Sequence, residues 1–308
     1  MVTALHALPD AEITAVGSRS QASADEFAST HGIARAWGSY DELFADPDVD
    51  IVYVASPHSH HREMTIAALD AGQHVLCEKA FAVNAAEARE MVDAARRNDR
   101  FLMEAMWTWF IPAVVELRDR IAAGSIGRLL TIEAAFGIRV DVPDGRHRRP
   151  DLAGGALLDV GIYPLTFACF LTGEHPTDVR AYGQLTPDGV DETFAGVASF
   201  PSGPLATFQA SIGALSGHGA RIVGTDGRVE VDAPFWHTAG FTIHRDGAEP
   251  ERVALPNSGL AHEAAHAMAR VRAGHRESDV IDLATTLRTM ELLDDVRAQL
   301  GVVYPSES

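Results

Sequence analysis

The stretch "HVLCEKAF", residues 74–81, decides how this chain is read. Its apolar run has the character of a buried strand, it stops on Glu78 and Lys79, and a fresh helical pattern begins near Asn84. Ligands in open α/β sheets sit beyond the strand ends, so a charged pair placed there is a candidate for chemistry. The plainer alternative is a solvated strand exit. Working outward, "VDIVYVAS" (49–56) is a nearly continuous apolar run, as expected of a parallel strand buried on both faces. "EITAVGS" (12–18) and "RFLMEAMW" (100–107) are further strands. Helical patterns separate them: "QASADEFASTHG" (21–32), closing on Gly32, a short one opened by a Ser39–Glu42 capping box, one from about Pro57 to Ala71, and one from Asn84. Strands spaced by one helix each make βαβ units, and a doubly wound α/β sheet of Rossmann type is expected over residues 1–106.

From about Gly127 the pattern changes. "RLLTIEAAFGIRV", "VRAYGQL", "ETFAGVASF", "GPLATFQASIG", "ARIVGTDGRVEVDA" and "GFTIHRDG" are consecutive strand candidates joined by short Gly, Pro and Asp turns. They predict an α+β domain over 107–308 built on a large open antiparallel sheet. One helix (about 155–171) precedes most of it and two (about 260–274 and 280–299) follow, the last expected to pack back toward the first domain. The chain opens on what reads as the back half of a first helix. No G-x-G-x-x-G occurs before residue 18, and "GTDGRVEVD" (224–232) is a hairpin turn in the second domain. The expectation is an N-terminally shortened form, lacking the first strand and its glycine loop, that binds dinucleotide poorly and leaves strand edges unpaired.

Composition narrows the class. At 46% hydrophobic and 22% charged residues over 308 positions, the chain has ordinary globular values. A net charge of −18 argues against nucleic acid or an anionic membrane surface as partner, and "RHRRP" (146–150) is only a local basic cluster. Two cysteines, Cys77 and Cys169, cannot make a disulfide framework and point to a reducing compartment. No uninterrupted apolar stretch of transmembrane length and no signal-peptide pattern are seen, so a cytoplasmic protein is expected.

In "GGALLDVGIYPL" (154–165), Asp159 and Tyr163 stand four apart on a helix that two glycines introduce, which puts them on one face. A tyrosine can shuttle a proton when a nearby cation lowers its pKa, and Lys79 is the candidate cation. The alternative is a buried tyrosine bonded to a helix aspartate.

"HVLCEKAF" followed some 80 residues later by "GGALLDVGIYPL" resembles the glucose–fructose oxidoreductase / inositol dehydrogenase / MocA family of NAD(P)-dependent oxidoreductases. The resemblance runs through "ASPHSHHREMTIAALDAGQHVLCEK" (55–79) to "ESDVIDLATTLRTMELLDDVRAQLGVVYP" at the C-terminus. It implies a substrate pocket lined by Lys79, Asp159 and Tyr163. Tyrosine in the last position, with "MEAMW" and "GGALLD", is similar to the dihydrodiol-dehydrogenase-like branch. Ala80 replaces the proline of the family's E-K-P and is expected to loosen the turn holding Lys79. Ala153 stands where a third glycine is common, and Trp109 where that branch often has arginine. Ser56, Pro57, His58, His61, Glu78 and Lys79 are then expected around the cofactor.

Two motifs suggest metal instead. "SPHSHH" (56–61) gathers His58, His60 and His61 at a strand end, but with poor spacing for a helix-face pair. "HEAAH" (262–266) has the H-E-x-x-H form of zinc hydrolases, with His262 and His266 as ligands and Glu263 as base. The family commonly carries such a helix packed on its sheet, so no metal is expected. Cys77, beside the site, reads as an inert strand cysteine. In "GSRS" (17–20), Ser18 and Arg19 suit a 2′-phosphate where an acidic residue would suit a ribose hydroxyl, favouring NADP over NAD, while Ser20 is a plain helix cap. The expectation is thus an NADP-dependent oxidoreductase acting on a small polyhydroxylated substrate (a sugar, inositol or dihydrodiol) and pairing through its open sheet. A non-catalytic relative and a zinc hydrolase are its rivals.

Overall fold

The computed structural model describes residues 1–142 and 145–307. The first part runs α1 (Val2–His6), β1 (Ala15–Gly17), α2 (Gln21–His31), β2 (Arg35–Trp37), α3 (Tyr40–Phe44), β3 (Ile51–Val54), α4 (His61–Asp70), β4 (His74–Glu78), α5 (Ala85–Asn98) and β5 (Leu102–Ala105). All its strand pairs are parallel, in two sheets: β1 with β2, and β3-β4-β5. Val75 and Cys77 of β4 are fully buried, as a strand covered by helices on both faces must be. Local capping sets the helix starts. Ser20, Ser39 and Asn84 accept from the backbone N–H of Ser23, Glu42 and Glu87 at 3.3, 3.3 and 2.9 Å. The helix expected from Pro57 starts at His61, because Pro57 holds ψ 151° and a 3₁₀ turn, His58–His60, intervenes. The strand expected over 100–107 stops at Ala105, and Trp107–Phe110 is a 3₁₀ turn that sends Trp107 into the site described below.

The second part adds α6 (Pro112–Ala122), β6 (Leu129–Gly137), α7 (Ile162–Thr172), β7 (Asp178–Leu185), β8 (Asp191–Ser199), β9 (Leu205–Ser211), β10 (Ala220–Gly224), β11 (Gly227–Val231), β12 (Gly240–Arg245), β13 (Glu251–Ala254), α8 (Ala261–Arg272) and α9 (Leu283–Leu300). The eight strands form one sheet in the order β13-β12-β11-β10-β6-β9-β8-β7. This corrects the antiparallel expectation, since β6 and β9 pair in parallel, with Thr131 opposite Leu205. The cause lies in the connection. The chain leaves β6, crosses through α7 and enters β7 in its original direction, and the β7-β8-β9 meander then returns it beside β6.

Pro150–Thr172, 23 residues, is long and apolar enough for a membrane span, yet its most apolar part is buried inside the protein. It is the core helix on which the sheet rests. α9 packs on both parts: Asp294 Oδ2 accepts from Ala85 N–H at 2.9 Å, and Gln299 Oε1 from Ala181 N–H at 3.0 Å. The chain's end folds back too, with Arg297 paired to Glu307 and Tyr304 Oη donating to the Gly154 carbonyl at 2.8 Å.

Candidate active site

The ends of β3 and β4 open on a cleft of about 990 Å³, and its lining joins Ser56, Pro57, His58, His61, Glu78 and Lys79 to Asp159 and Tyr163. Lys79 Nζ donates to the Asp159 backbone carbonyl at 2.6 Å, lies 3.6 Å from Asp159 Oδ1, and stands 5.0 Å from the centre of the Tyr163 ring. One local feature favours this contact. Leu157–Gly161 is a π turn, with Ile162 N–H bonded to the Leu157 carbonyl, and the residue one π turn beyond Asp159 is Pro164, which has no N–H to give. Asp159 and Tyr163 both face the cleft, but they are not bonded to each other. The Tyr163 oxygen accepts from Trp107 Nε1 at 2.8 Å. The Asp159 carboxylate meets Arg146 Nη2 at 2.8 Å and His147 Nε2 at 3.0 Å.

Burial works against the Asp159 charge, yet Lys79, His147 and Arg146 outweigh it and hold the carboxyl well below the usual carboxylate range. Burial likewise opposes the Lys79 charge, and Tyr163, Asp159 and Glu78 reverse this, so its pKa is raised and it stays an ammonium. The sign at Tyr163 corrects the sequence expectation. Burial raises its pKa, and Lys79 and the Trp107 bond only partly offset that, leaving the phenol more firmly protonated than a free tyrosine. His58 is driven down to about 3, first by burial and then by His61 and Lys79, and is neutral.

The turn after Lys79 is held rather than loosened. Ala80 is fully buried, and the His61 ring lies between its carbonyl, 2.9 Å from Nδ1, and that of Ser56, 2.8 Å from Nε2. Ala153 has φ +53°, a left-handed conformation that accounts for glycine's suitability there, and its carbonyl lies 3.2 Å from His58 Nδ1. Trp109, standing where the branch often has arginine, is buried with its ring centre 4.9 Å from that of Phe170 and is not among the lining residues.

The donor set suits the nicotinamide end of a dinucleotide. Ser56 Oγ is buried at the mouth of β3 without a hydrogen-bond partner, and Tyr53 is bonded to Glu78 beneath it. Ser56, Pro57 and Glu78 would hold that end, with Lys79 facing the reacting oxygen. Ser18 and Arg19 lie at the end of β1, apart from the residues lining this cleft. Ser20 caps α2, and Arg19 beside it is exposed.

The H-E-x-x-H helix is otherwise engaged. His262 Nε2 accepts from Ser258 N–H at 3.0 Å, His266 Nε2 lies 2.9 Å from Ser278 Oγ, and Glu263 is fully buried. Among the described residues no three His, Cys, Asp or Glu side chains gather in a way that could hold a metal. Burial pushes the Cys77 thiol far up, which makes it a poor nucleophile.

Sequence reasoning missed Arg146, His147, Trp107 and His237. Trp107 and His237 line the cleft with ring centres 5.1 Å apart, while Phe136 and Trp236 stack at 3.4 Å behind Tyr163. The basic run at 146–150 was the one available signal for the first two.

Hydride transfer needs a dinucleotide lying across parallel strand ends and a proton donor facing a carbon–oxygen bond. Those demands place the protein among the NAD(P)-dependent oxidoreductases. It belongs to the GFO/IDH/MocA family: residues 1–106 match the oxidoreductase family's NAD-binding Rossmann fold, and residues 114–230 match the GFO/IDH/MocA C-terminal domain. It is 38% identical over 319 aligned residues to the trans-1,2-dihydrobenzene-1,2-diol dehydrogenase of Oryctolagus cuniculus, covering 99% of this chain and 96% of that one. Among solved structures it resembles aldose-aldose oxidoreductase from Caulobacter crescentus complexed with glycerol (TM-score 0.88, 25% identity, 97% of this chain and 92% of that one). It also resembles KijD10, a 3-ketoreductase from Actinomadura kijaniata in complex with NADP and TDP-benzene (TM-score 0.86, 27% identity, 97% and 93%).

Proposed function

We propose that the protein is an NADP-dependent oxidoreductase that interconverts a CH–OH and a C=O group on a ring compound bearing several hydroxyls, a sugar, inositol or dihydrodiol. The observation that carries this is a protonated phenol and a buried ammonium, Tyr163 and Lys79, facing one cleft at the end of β4. Bound NADPH supplies the hydride. The chain does the rest. Tyr163, its oxygen fixed by Trp107, donates its proton to the substrate oxygen. Lys79 stabilises the charge that develops on that oxygen. Asp159, kept ionised, holds Lys79 and Arg146 in place. In the reverse direction the same groups take the proton from the hydroxyl. The relatives' activities on a dihydrodiol and on sugars support this substrate class.

Arg19 supports NADP over NAD, because a guanidinium recognises a 2′-phosphate in a forked geometry. Fluorescence titration should show NADPH binding more tightly than NADH. Arg19→Ala should weaken NADPH by about tenfold or more, the worth of one charged hydrogen bond, and leave NADH unchanged. Equal affinities in the parent would remove the cofactor assignment. Absence of NADPH formation from NADP⁺ across sugars, inositols and dihydrodiols would remove the substrate class. The two buried thiols, Cys77 and Cys169, support a reducing compartment, the cytoplasm.

For assembly, the outer face of the large sheet exposes Tyr182, Val197 and Leu205 on the adjacent strands β7, β8 and β9, at 85, 43 and 45% of their full surface. This apolar patch supports a homodimer joined sheet to sheet. Sedimentation should show a dimer for the parent and a shift to monomer for Tyr182→Glu. A monomeric parent at micromolar concentration would end this part of the reading.

A further inference from the structure

The segment that carries Asp159 and Tyr163 is gripped from below by a single strand. At its start, Asp191 of β8 is 1% exposed and its Oδ2 accepts from Leu157 N–H at 2.6 Å. Gly155, at φ +118°, passes so close that a Cβ there would stand 2.1 Å from Asp191 Oδ1. At its far end, a Cβ on Gly161 would stand 2.4 Å from Cζ of Phe194, three residues along the same strand. Gly161, at the end of the π turn, and Gly155, two residues before its start, are therefore where β8 passes close, which accounts for their place in "GGALLDVG". Tyr304 adds a third hold through the Gly154 carbonyl. Asp191 is not among the residues lining the cleft.

We propose that Asp191 is a positioning residue for the reaction: with Phe194 it clamps residues 155–161, setting the π turn so that the Asp159 carbonyl meets Lys79 and the Tyr163 hydroxyl meets Trp107. The inference rests on the reading of Asp159 and Tyr163 as working groups. Its physical basis is that the π turn has a looser bonding pattern than the α-helix it feeds, so its register must be imposed from outside. A buried acceptor at the first free N–H, that of Leu157, supplies that constraint. A misplacement of the order of 1 Å costs about 10²-fold in rate.

The test uses Asp191→Ala and Asp191→Asn in the full chain, with two readouts. Steady-state kinetics at saturating NADPH should show kcat lowered about 10²-fold in Asp191→Ala, with NADPH affinity within about twofold of the parent. Asp191→Asn, which keeps an acceptor for Leu157 N–H, should recover most of that loss. The second readout needs no turnover. With ¹⁵N-labelled tryptophan, the Trp107 indole resonance reports its bond to Tyr163. In Asp191→Ala it should move toward its position in Tyr163→Phe, while Trp37, bonded to Asp46 in the first part of the chain, stays put. If Asp191→Ala does not fold, Phe194→Leu loosens the other end of the clamp and is read in its place. An unmoved Trp107 resonance, or unchanged kcat in a folded variant, overturns the proposal. Should Tyr163→Phe itself leave turnover intact, the catalytic reading fails separately, and the indole shift still decides whether Asp191 sets the turn.

Discussion

Lys79→Met gives a folded protein that binds NADPH and reduces substrate about 10³-fold more slowly than the parent, the scale of losing an oxyanion donor that also tunes a proton donor. Three consequences follow from one lost ammonium. The substrate oxygen loses the cation facing it. The Asp159 carbonyl, which no N–H of Pro164 can reach, loses its 2.6 Å donor. Tyr163 loses the charge that most opposes the effect of burial, so its pKa climbs further from neutrality. The methionine fills much the same volume, which separates this loss from unfolding. A variant that is folded, saturated with NADPH and still reduces substrate at a near-parent rate would remove Lys79 from the mechanism.

Tyr163→Phe is expected to cost about 10²–10⁴-fold in turnover, the usual share of a general acid. Cofactor affinity should stay within about twofold, because the phenol oxygen bonds to Trp107 and Tyr163 lines the cleft. Trp107 is left with an unpaired indole N–H, so a stability loss of about 1 kcal/mol should accompany it. The pH profile supplies a second check. A raised pKa means that the proton-carrying form persists through neutrality and is lost only as pH rises beyond the ordinary tyrosine value of about 10. Reductive turnover of the parent should therefore be flat from about pH 7 to about pH 9. A rate that falls through that window in the parent and not in Tyr163→Phe would mean that the Lys79 charge outweighs burial after all.

Much of the framework is legible along the chain because it depends on near neighbours. The caps at Ser20, Ser39 and Asn84 work within three residues, and the apolar run of β4 shows a strand covered on both faces. Lys79, Asp159 and Tyr163 were legible as candidates because their surroundings, a strand end and a glycine-led helix, have recognisable sequence patterns. The H-E-x-x-H run shows the limit of such patterns. The same letters suit a zinc site or a packed helix, and the hydrogen bonds of His262 and His266 to Ser258 and Ser278 belong to the second.

What the chain's local patterns settle, then, is the alternation of strand and helix up to residue 106, the change to a sheet-rich second part, and the identity of the charged groups available for chemistry. The arrangement of those groups arises elsewhere. Arg146 and His147 reach Asp159 because the Arg146–Arg148 turn lies against the residues leading into the π turn, with Gly155 N–H bonded to the His147 carbonyl, and no periodicity encodes that meeting. Trp107 enters the cleft because the strand before it ends two residues early, and β6 lies parallel to β9 because a whole helix intervenes before the meander returns. The sign of the Tyr163 shift has the same origin. A neighbouring cation can be guessed from sequence, but desolvation is a sum over every group packed around the phenol, and only the folded chain brings Trp107, Phe136 and Trp236 together to make it.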